Sequence, residues 1–438
     1  MHESLDDLFP NFIDPRDAYL DDDGAYWPPL AAGGRSAALA APDLAGLRDE
    51  CRRLAATNEF AINGHENRIS YVVGAGHSYH VTPRAGQSPP AGLTAAVERL
   101  IERFCEQNRW HARQQEVVRR LDRDGEALLR TFVDRQGDTL VRFVEPEDVA
   151  APSERLLDPD ASIGVQTSPG DVEGVVGYWI GGRLVPAGEV QHRKANVDAN
   201  VKRGVPLFAP VRKNLRRAEK LLRNMSALAE VQSAIALIRR HPHATRAGVE
   251  RFVADNTAGA GPDAMGRTRR LAMYGPGTIL DAPAGLEYDF PAAAVDAASY
   301  VAILQAELRA IAARLLMPEF MLSSDASNAN YASTMVAEGP AVRMFQRLQA
   351  AMIEEDRALL WRVVENAVQA GRLPAAARRL VDIQIVAPTL ELRDPLKAAH
   401  ADRIAYDHGV LSLQTWSQRL GLDYEQEQKN RREAMNDE

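Results

Sequence analysis

Arg314-Leu-Leu-Met-Pro-Glu-Phe-Met-Leu-Ser-Ser-Asp-Ala-Ser-Asn-Ala-Asn-Tyr-Ala-Ser333 joins two long helical patterns. The apolar spacing before it, through Tyr300, Leu304, Leu308, Ile311 and Leu315, runs into Pro318, which a helix interior does not accept. After it the spacing returns with Val342, Phe345, Leu348 and Met352. Between them lies a polar stretch of Ser323, Ser324, Asp325, Ser327, Asn328 and Asn330, closed by Tyr331. With almost no apolar anchor, this loop is expected to project from the core and to be mobile.

Working outward, helices are expected over about 294–316 and 333–370. Gly339-Pro340 falls inside the second. Proline removes one backbone hydrogen bond and clashes one turn back, so a kink, or two helices with a short connection, is expected. Apolar spacing resumes at once, which favours the kinked helix. The stripes on these helices, extended by Leu359 and Val363, are long for one protomer to cover. They predict self-association through a heterologous, ring-closing interface.

Upstream, 207–240 has no Gly or Pro after Pro210 and is expected to be helical throughout. On a helical wheel, Val211, Leu215, Ala218, Leu221, Leu222 and Met225 share one arc. Arg212, Lys213, Arg216, Arg217, Lys220 and Arg223 occupy the opposite arc, with Glu219 at its edge. Such a face is either simply solvated or turned toward phosphates or an anionic partner, without reading sequence.

Residues 1–42 are acidic and rich in proline, and either an extended arm, anchored on a neighbour by Tyr19, Tyr26 and Trp27, or a disordered tail is expected. Asp43 precedes Leu44, Leu47, Cys51 and Leu54 and is the expected N-cap of an amphipathic helix. Further helices are expected near 61–70 and over 94–121. The alternations 128–133 and 139–144, around Asp134–Asp138, predict a β-hairpin. Gly181-Gly182 marks a second hairpin. Residues 241–293 are punctuated by Pro and Gly, and short strands are expected at 270–274 and 278–280. The tail carries a strand over 381–386 and helices at 402–408 and from 414 on. The fold class is therefore α+β and helix-rich.

The chain has 438 residues, 45% of them apolar, and a formal charge of -8. That is room for two or three domains, and no uniformly basic surface. Two cysteines, Cys51 and Cys105, make no disulfide framework. No signal peptide and no run of the ~20 apolar residues a spanning helix needs is present, so a soluble, intracellular protein with no membrane role is expected. Gly74-Ala-Gly76 lacks a third glycine and is expected to be a plain turn. The histidines fall at no zinc-site spacing, and no nucleophile elbow or Walker loop occurs, so neither metal, cofactor nor catalytic residue is assigned.

Several segments together resemble the large siphovirus-type family of tailed-bacteriophage portal proteins. The quoted stretch is similar to the family's tunnel loop. Arg53-Leu54, Thr57-Asn58, Asn67-Arg68 and Val72-Val-Gly-Ala-Gly76 resemble its N-terminal helical block. Val144-Glu-Pro-Glu-Asp-Val149, Pro186-Ala-Gly-Glu-Val-Gln-His192 and Arg203-Gly-Val-Pro206 resemble three later signatures, and Gly409-Val-Leu-Ser412 with Thr415 a C-terminal helical hairpin.

The resemblance implies a protomer with an arm (1–42), an α+β wing (43–205), a first stem helix (206–240) and a clip (241–293). A second stem helix (294–316), a tunnel loop (317–332), a kinked wing helix (333–370) and a wing strand with crown helices (371–438) complete it. It further implies a twelve-subunit ring at one capsid vertex, assembled in the host cytoplasm and carried in the virion. Double-stranded DNA, the terminase large subunit, major capsid or scaffolding protein and a head-tail adaptor are the implied partners. Another head-tail adaptor or minor capsid protein is the nearest alternative, although adaptors are shorter. A DNA-processing enzyme would need a carboxylate or histidine cluster that the sequence does not supply.

Overall fold

A computed structural model describes residues 41–240, 245–248, 278–282, 297–325, 331–390, 395–419 and 424–436. The fold is α+β and helix-rich, in two units: Arg35–Lys213 with Ala310–Glu438, and Met1–Gly34 with Asn214–Arg309. The arm and most of 241–293, including the expected strand at 270–274, lie outside the described residues.

The larger unit begins with α1, Ala41–Thr57. It starts two residues ahead of Asp43, the expected cap, because proline at position 42 suits a first helical turn, where its missing N–H is not needed. Asn58 caps α2, Glu59–Val72, accepting the Ala61 N–H at 3.1 Å. Gly74 and Gly76 then turn the chain with positive φ into β1, Ser78–Pro83. They follow a helix and not a strand, as the plain-turn reading requires.

The single helix expected over 94–121 is two helices, α3 (Leu93–Asn108) and α4 (Trp110–Arg123), with Arg109 left-handed between them at φ 48°. Buried Asn108 makes the break. Its amide donates to Phe104 O at 2.9 Å and Thr139 O at 3.0 Å, and accepts the Val141 N–H at 2.8 Å. A tertiary bond to a strand thus overrides a periodicity that no Gly or Pro interrupts.

β2 (Glu126–Val133) and β3 (Thr139–Val144) form the expected hairpin, with Val133 opposite Thr139. β4 (Val165–Ser168), β5 (Asp171–Ile180) and β6 (Arg183–Pro186) form a second small sheet, in which Ile180 faces Arg183 across the two-glycine turn. β7, Val190–Lys194, pairs with the free side of β2. Ala127 and Leu129 on β2 face the main core, while Leu128 joins Tyr178, Val185 and Val190 in a smaller one. A strand buried on both faces reads as a continuous apolar run.

Next in the chain is α5, Arg212–Ala234. The helix expected to run to Arg240 stops there. Ile235–Arg240 is strand β8, paired in parallel with β9, Thr278–Ala282. Ile235-Ala-Leu-Ile238 suits a strand as well as a helix, and the partner decides. The start moves too, since Ala209–Val211 is a separate 3-10 turn. In the smaller unit, Leu215 and Ala218 of α5 are buried, as are Leu304 and Leu308 of α6, Ala297–Leu315.

Back in the larger unit come α7 (Glu319–Ser323) and the long α8 (Tyr331–Gln369). α9 (Ala377–Leu380) leads into β10, Val381–Val386, whose antiparallel partner is β1. α10 (Pro395–Asp407), α11 (Leu413–Arg419) and α12 (Tyr424–Asn436) end the chain. Phe345, Met352, Leu359 and Val363 of α8 pack with α3, α4 and β10 in the main core, each such side chain worth roughly 1.5–3 kcal/mol. These stripes, with Leu304, Leu308, Ile311 and Leu315, are buried inside one protomer. The expectation that a second copy must cover them is therefore corrected: the chain covers them itself.

Candidate functional site

Carboxylates answer much of the basic arc of α5. Arg212 is half-buried, donating to Ala209 O at 2.9 Å and pairing with Glu50 at 3.2 Å. Arg217 lies 3.5 Å from Glu307, which also accepts from Asn214 at 2.7 Å. Arg223 pairs with Glu219 one turn away. Lys213 and Lys220 are half-buried, and Arg216 and Arg223 are exposed. Glu50 and Glu307, which answer Arg212 and Arg217, come from other segments and are invisible to the wheel.

Of the segment 317–332 that the resemblance gives as a tunnel loop, Met317 and Leu322 are buried, and Glu319–Ser323 is helical. Asn63 of α2 donates to Met321 O at 2.9 Å and Leu322 O at 2.7 Å, and Asn67 donates to Met321 O at 2.9 Å. Gly64 lets the helices meet, because a Cβ there would lie 2.4 Å from Leu315 Cδ1. Ser323 donates to Glu319 O at 3.0 Å, and Ser324 turns the chain at φ 57° before exposed Asp325. Ser327, Asn328 and Asn330 lie outside the described residues, and Tyr331 is the first residue of α8. Sequence reasoning missed the Asn63 and Asn67 clamp, whose signal was two asparagines one turn apart on an otherwise amphipathic helix. Gly339 and Pro340 are exposed within α8, which runs through them as one helix and not two.

The signature segments meet at Glu126, fully buried at the head of β2. Arg48 donates to it at 2.8 Å, Arg203 Nε at 2.8 Å and Nη2 at 2.5 Å. The Gly204 N–H and His192 Nε2 each lie 3.0 Å from Oε2. Arg203 also reaches Pro146 O at 2.7 Å and Val149 O at 2.9 Å. Gly204 is required because a Cβ would fall 1.9 Å from Gly125 O.

Burial alone would raise the Glu126 carboxyl, but Arg203 and His192 outweigh it and hold the pKa well below the usual range. Burial pushes His192 down despite Glu126, so it is neutral at pH 7 and donates through Nε2–H. Asp122, bonded by Arg68 at 3.0 Å, and Asp356, bonded by Arg193 at 2.8 Å and Gln114 at 2.6 Å, repeat the pattern. Buried pairs of this kind fix a fold, and their carboxylates are engaged by the guanidiniums. Glu126 was missed because a single acid before Ala-Leu-Leu carries no spacing signal.

Burial also pushes the Cys51 and Cys105 thiols up to about 12, which keeps them protonated and unreactive. Among the described residues no group of three or more His, Cys, Asp or Glu could hold a metal, and no helix is long and apolar enough to cross a membrane.

The sequence model of the family described as phage portal protein, lambda family, matches residues 22–349. No curated protein matches the chain. Among solved structures, one similar chain comes from the neck of an empty GTA particle computed with C6 symmetry. Identity is 15%, coverage is 85% of this chain and 94% of that one, and the TM-score is 0.46. A chain from the virion of a native gene transfer agent particle is 16% identical over 89% and 96%, at TM-score 0.44. An HK97 family phage portal protein from Corynebacterium diphtheriae is 15% identical over 76% and 94%, at TM-score 0.37.

Proposed function

This chain belongs to the lambda family of phage portal proteins, and from that premise we propose that it forms a ring at one capsid vertex, through which double-stranded DNA enters and leaves. The single observation behind this reading is the family match over residues 22–349, which takes in the Glu126 cluster, α5 to α7 and the part of the main core that precedes residue 350. The proposed ring has twelve copies, as the C12 symmetry named for the neck of a native GTA particle suggests by analogy. Capsid or scaffolding protein would hold it in the vertex, the terminase large subunit would dock on it during packaging, and a head-tail adaptor would follow.

In this reading α5 and α6 are the stem helices, 241–293 the clip and the segment after Ser324 the tunnel loop. An acidic chain with one basic helix face suits a channel that must hold a polyanion weakly and without sequence preference. Motor chemistry would belong to the terminase, so no catalytic role is assigned to this chain.

The test is packaging. Arg216→Glu with Arg223→Glu changes two exposed charges on α5 and should leave particles assembled but lower nuclease-protected DNA per particle. Undiminished DNA content in that double variant would return this face to a merely solvated one.

A further inference from the structure

In the larger unit, buried guanidiniums are answered by carboxylates: Arg48 and Arg203 by Glu126, Arg68 by Asp122, Arg193 by Asp356. A different cluster lies nearer the surface, where Arg113 is half-buried and Arg109 and Arg142 are exposed. Where α3 gives way to α4, an open cleft of about 380 Å³ is lined by Arg109, Arg113 and Arg142, with Ala112 and Glu116. Arg113 Nε donates to Asn108 O and Arg142 Nη1 to Val141 O, both at 2.7 Å, and among the described residues none of the three makes an ion pair. Glu116, the carboxylate on the wall, is taken by Arg120 at 2.8 Å.

Further features concentrate positive charge here. Arg142 stands directly opposite Arg130 across the β2–β3 pair, and Glu189, 3.7 Å from Arg130, offsets only the latter. Burial, and then the Arg142 charge, lowers the Arg113 pKa, against a smaller raising effect of Glu116. α4 begins at this point with no side-chain cap on its first-turn N–H groups, which favours an anion there. Arg113 and Arg120 lie 5.5 and 4.5 Å from the Phe143 ring centroid, which gives the wall a fixed backing.

We infer that this cleft is a docking site for an acidic peptide, the Glu3–Asp23 segment of a second copy of this chain. That segment carries eight carboxylates and one arginine, and ends in Asp21-Asp22-Asp23. In an extended chain Asp21 and Asp23 point the same way, so a narrow strand can offer two carboxylates to a pair of guanidiniums. From Asp23 to the start of α1 is 18 residues, a reach of at most about 60 Å, enough to cross to a neighbour. The inference rests on the ring reading, because copies side by side bring the segment of one to the cleft of the next.

The test uses the full chain with Ala112→p-benzoylphenylalanine on the cleft rim, co-assembled with isotopically labelled wild-type chain and irradiated. Mass spectrometry reads the cross-linked peptide, and mass photometry reads assembly in the same sample. The expected product joins position 112 to a labelled peptide within 3–23, and falls about tenfold or more in Arg113→Gln/Arg142→Gln. Assembled material whose cross-links fall elsewhere, stay within one chain, land on added duplex DNA or are absent overturns the inference. A chain that remains monomeric fails the ring reading instead. A synthetic Glu3–Asp23 peptide added in trans then decides the cleft alone, capture upholding the inference and no capture overturning it.

Discussion

Arg203 holds Glu126 through two nitrogens, Nε at 2.8 Å and Nη2 at 2.5 Å, in a site where the Glu126 side chain is inaccessible to solvent. Replacing Glu126 with Gln leaves Arg48 and Arg203 buried without their counter-charge. We expect a loss of about 3–5 kcal/mol, seen as a lower denaturant midpoint. Arg216→Ala, on the surface of α5, should shift the midpoint by no more than about 0.5 kcal/mol. Equal midpoints for the two variants would mean that the cluster does not hold the fold together.

The same cluster sets an acid limit. Glu126 has a folded pKa below its unfolded value, so its contribution is complete above the unfolded carboxylate pKa and is lost as pH falls toward the folded one. His192 and His77, both lowered by burial, take up protons more readily unfolded, and their contribution is lost as pH falls below the ordinary histidine value of about 6.5. Stability should therefore fall in two stages, first below about pH 6.5 and then below about pH 4.5. In His192→Gln the first stage should shrink. An unchanged first stage would assign it elsewhere.

Asn63 and Asn67 together make three bonds to the carbonyls of Met321 and Leu322. Each alanine replacement should cost about 0.5–1.5 kcal/mol and speed amide exchange over 319–324 before it affects the main core. Gly64→Ala should cost more, about 1–3 kcal/mol, because its Cβ has no room beside Leu315. Exchange rates unchanged over 319–324 in all three variants would show that this segment is held by Leu322 packing alone.

These residues show where sequence reasoning succeeds. Periodicity located α2, α3, both hairpins, α6, α8 and β10, because each buries a face whose spacing is its own signature. Local chemistry was legible too: Asn58 is a helix cap, Gly409 turns the chain after α10 at φ 70°, and Ser412 caps α11 by accepting the Thr415 N–H at 3.1 Å. What failed was whatever a distant partner decides. The break at Arg109 depends on Asn108 reaching β3, the end of α5 on β9, and the order in 319–323 on asparagines about 250 residues earlier. The wheel gave the sign of the α5 face, but Glu50 and Glu307 come from other segments. Part of the resemblance was carried by a helix cap, Asn58, and by buried ion-pair residues, Arg68 and Arg203, which belong to the scaffold.

Assembly into a closed ring does not depend on uncovered apolar stripes, and it can be read without any variant by mass photometry of the purified chain, with electron microscopy of the same sample. A species near twelve times the 48.1 kDa protomer mass is expected, with end-on views that show a central hole. A well-behaved monomer at micromolar concentration, with no rings at any salt concentration, would contradict it.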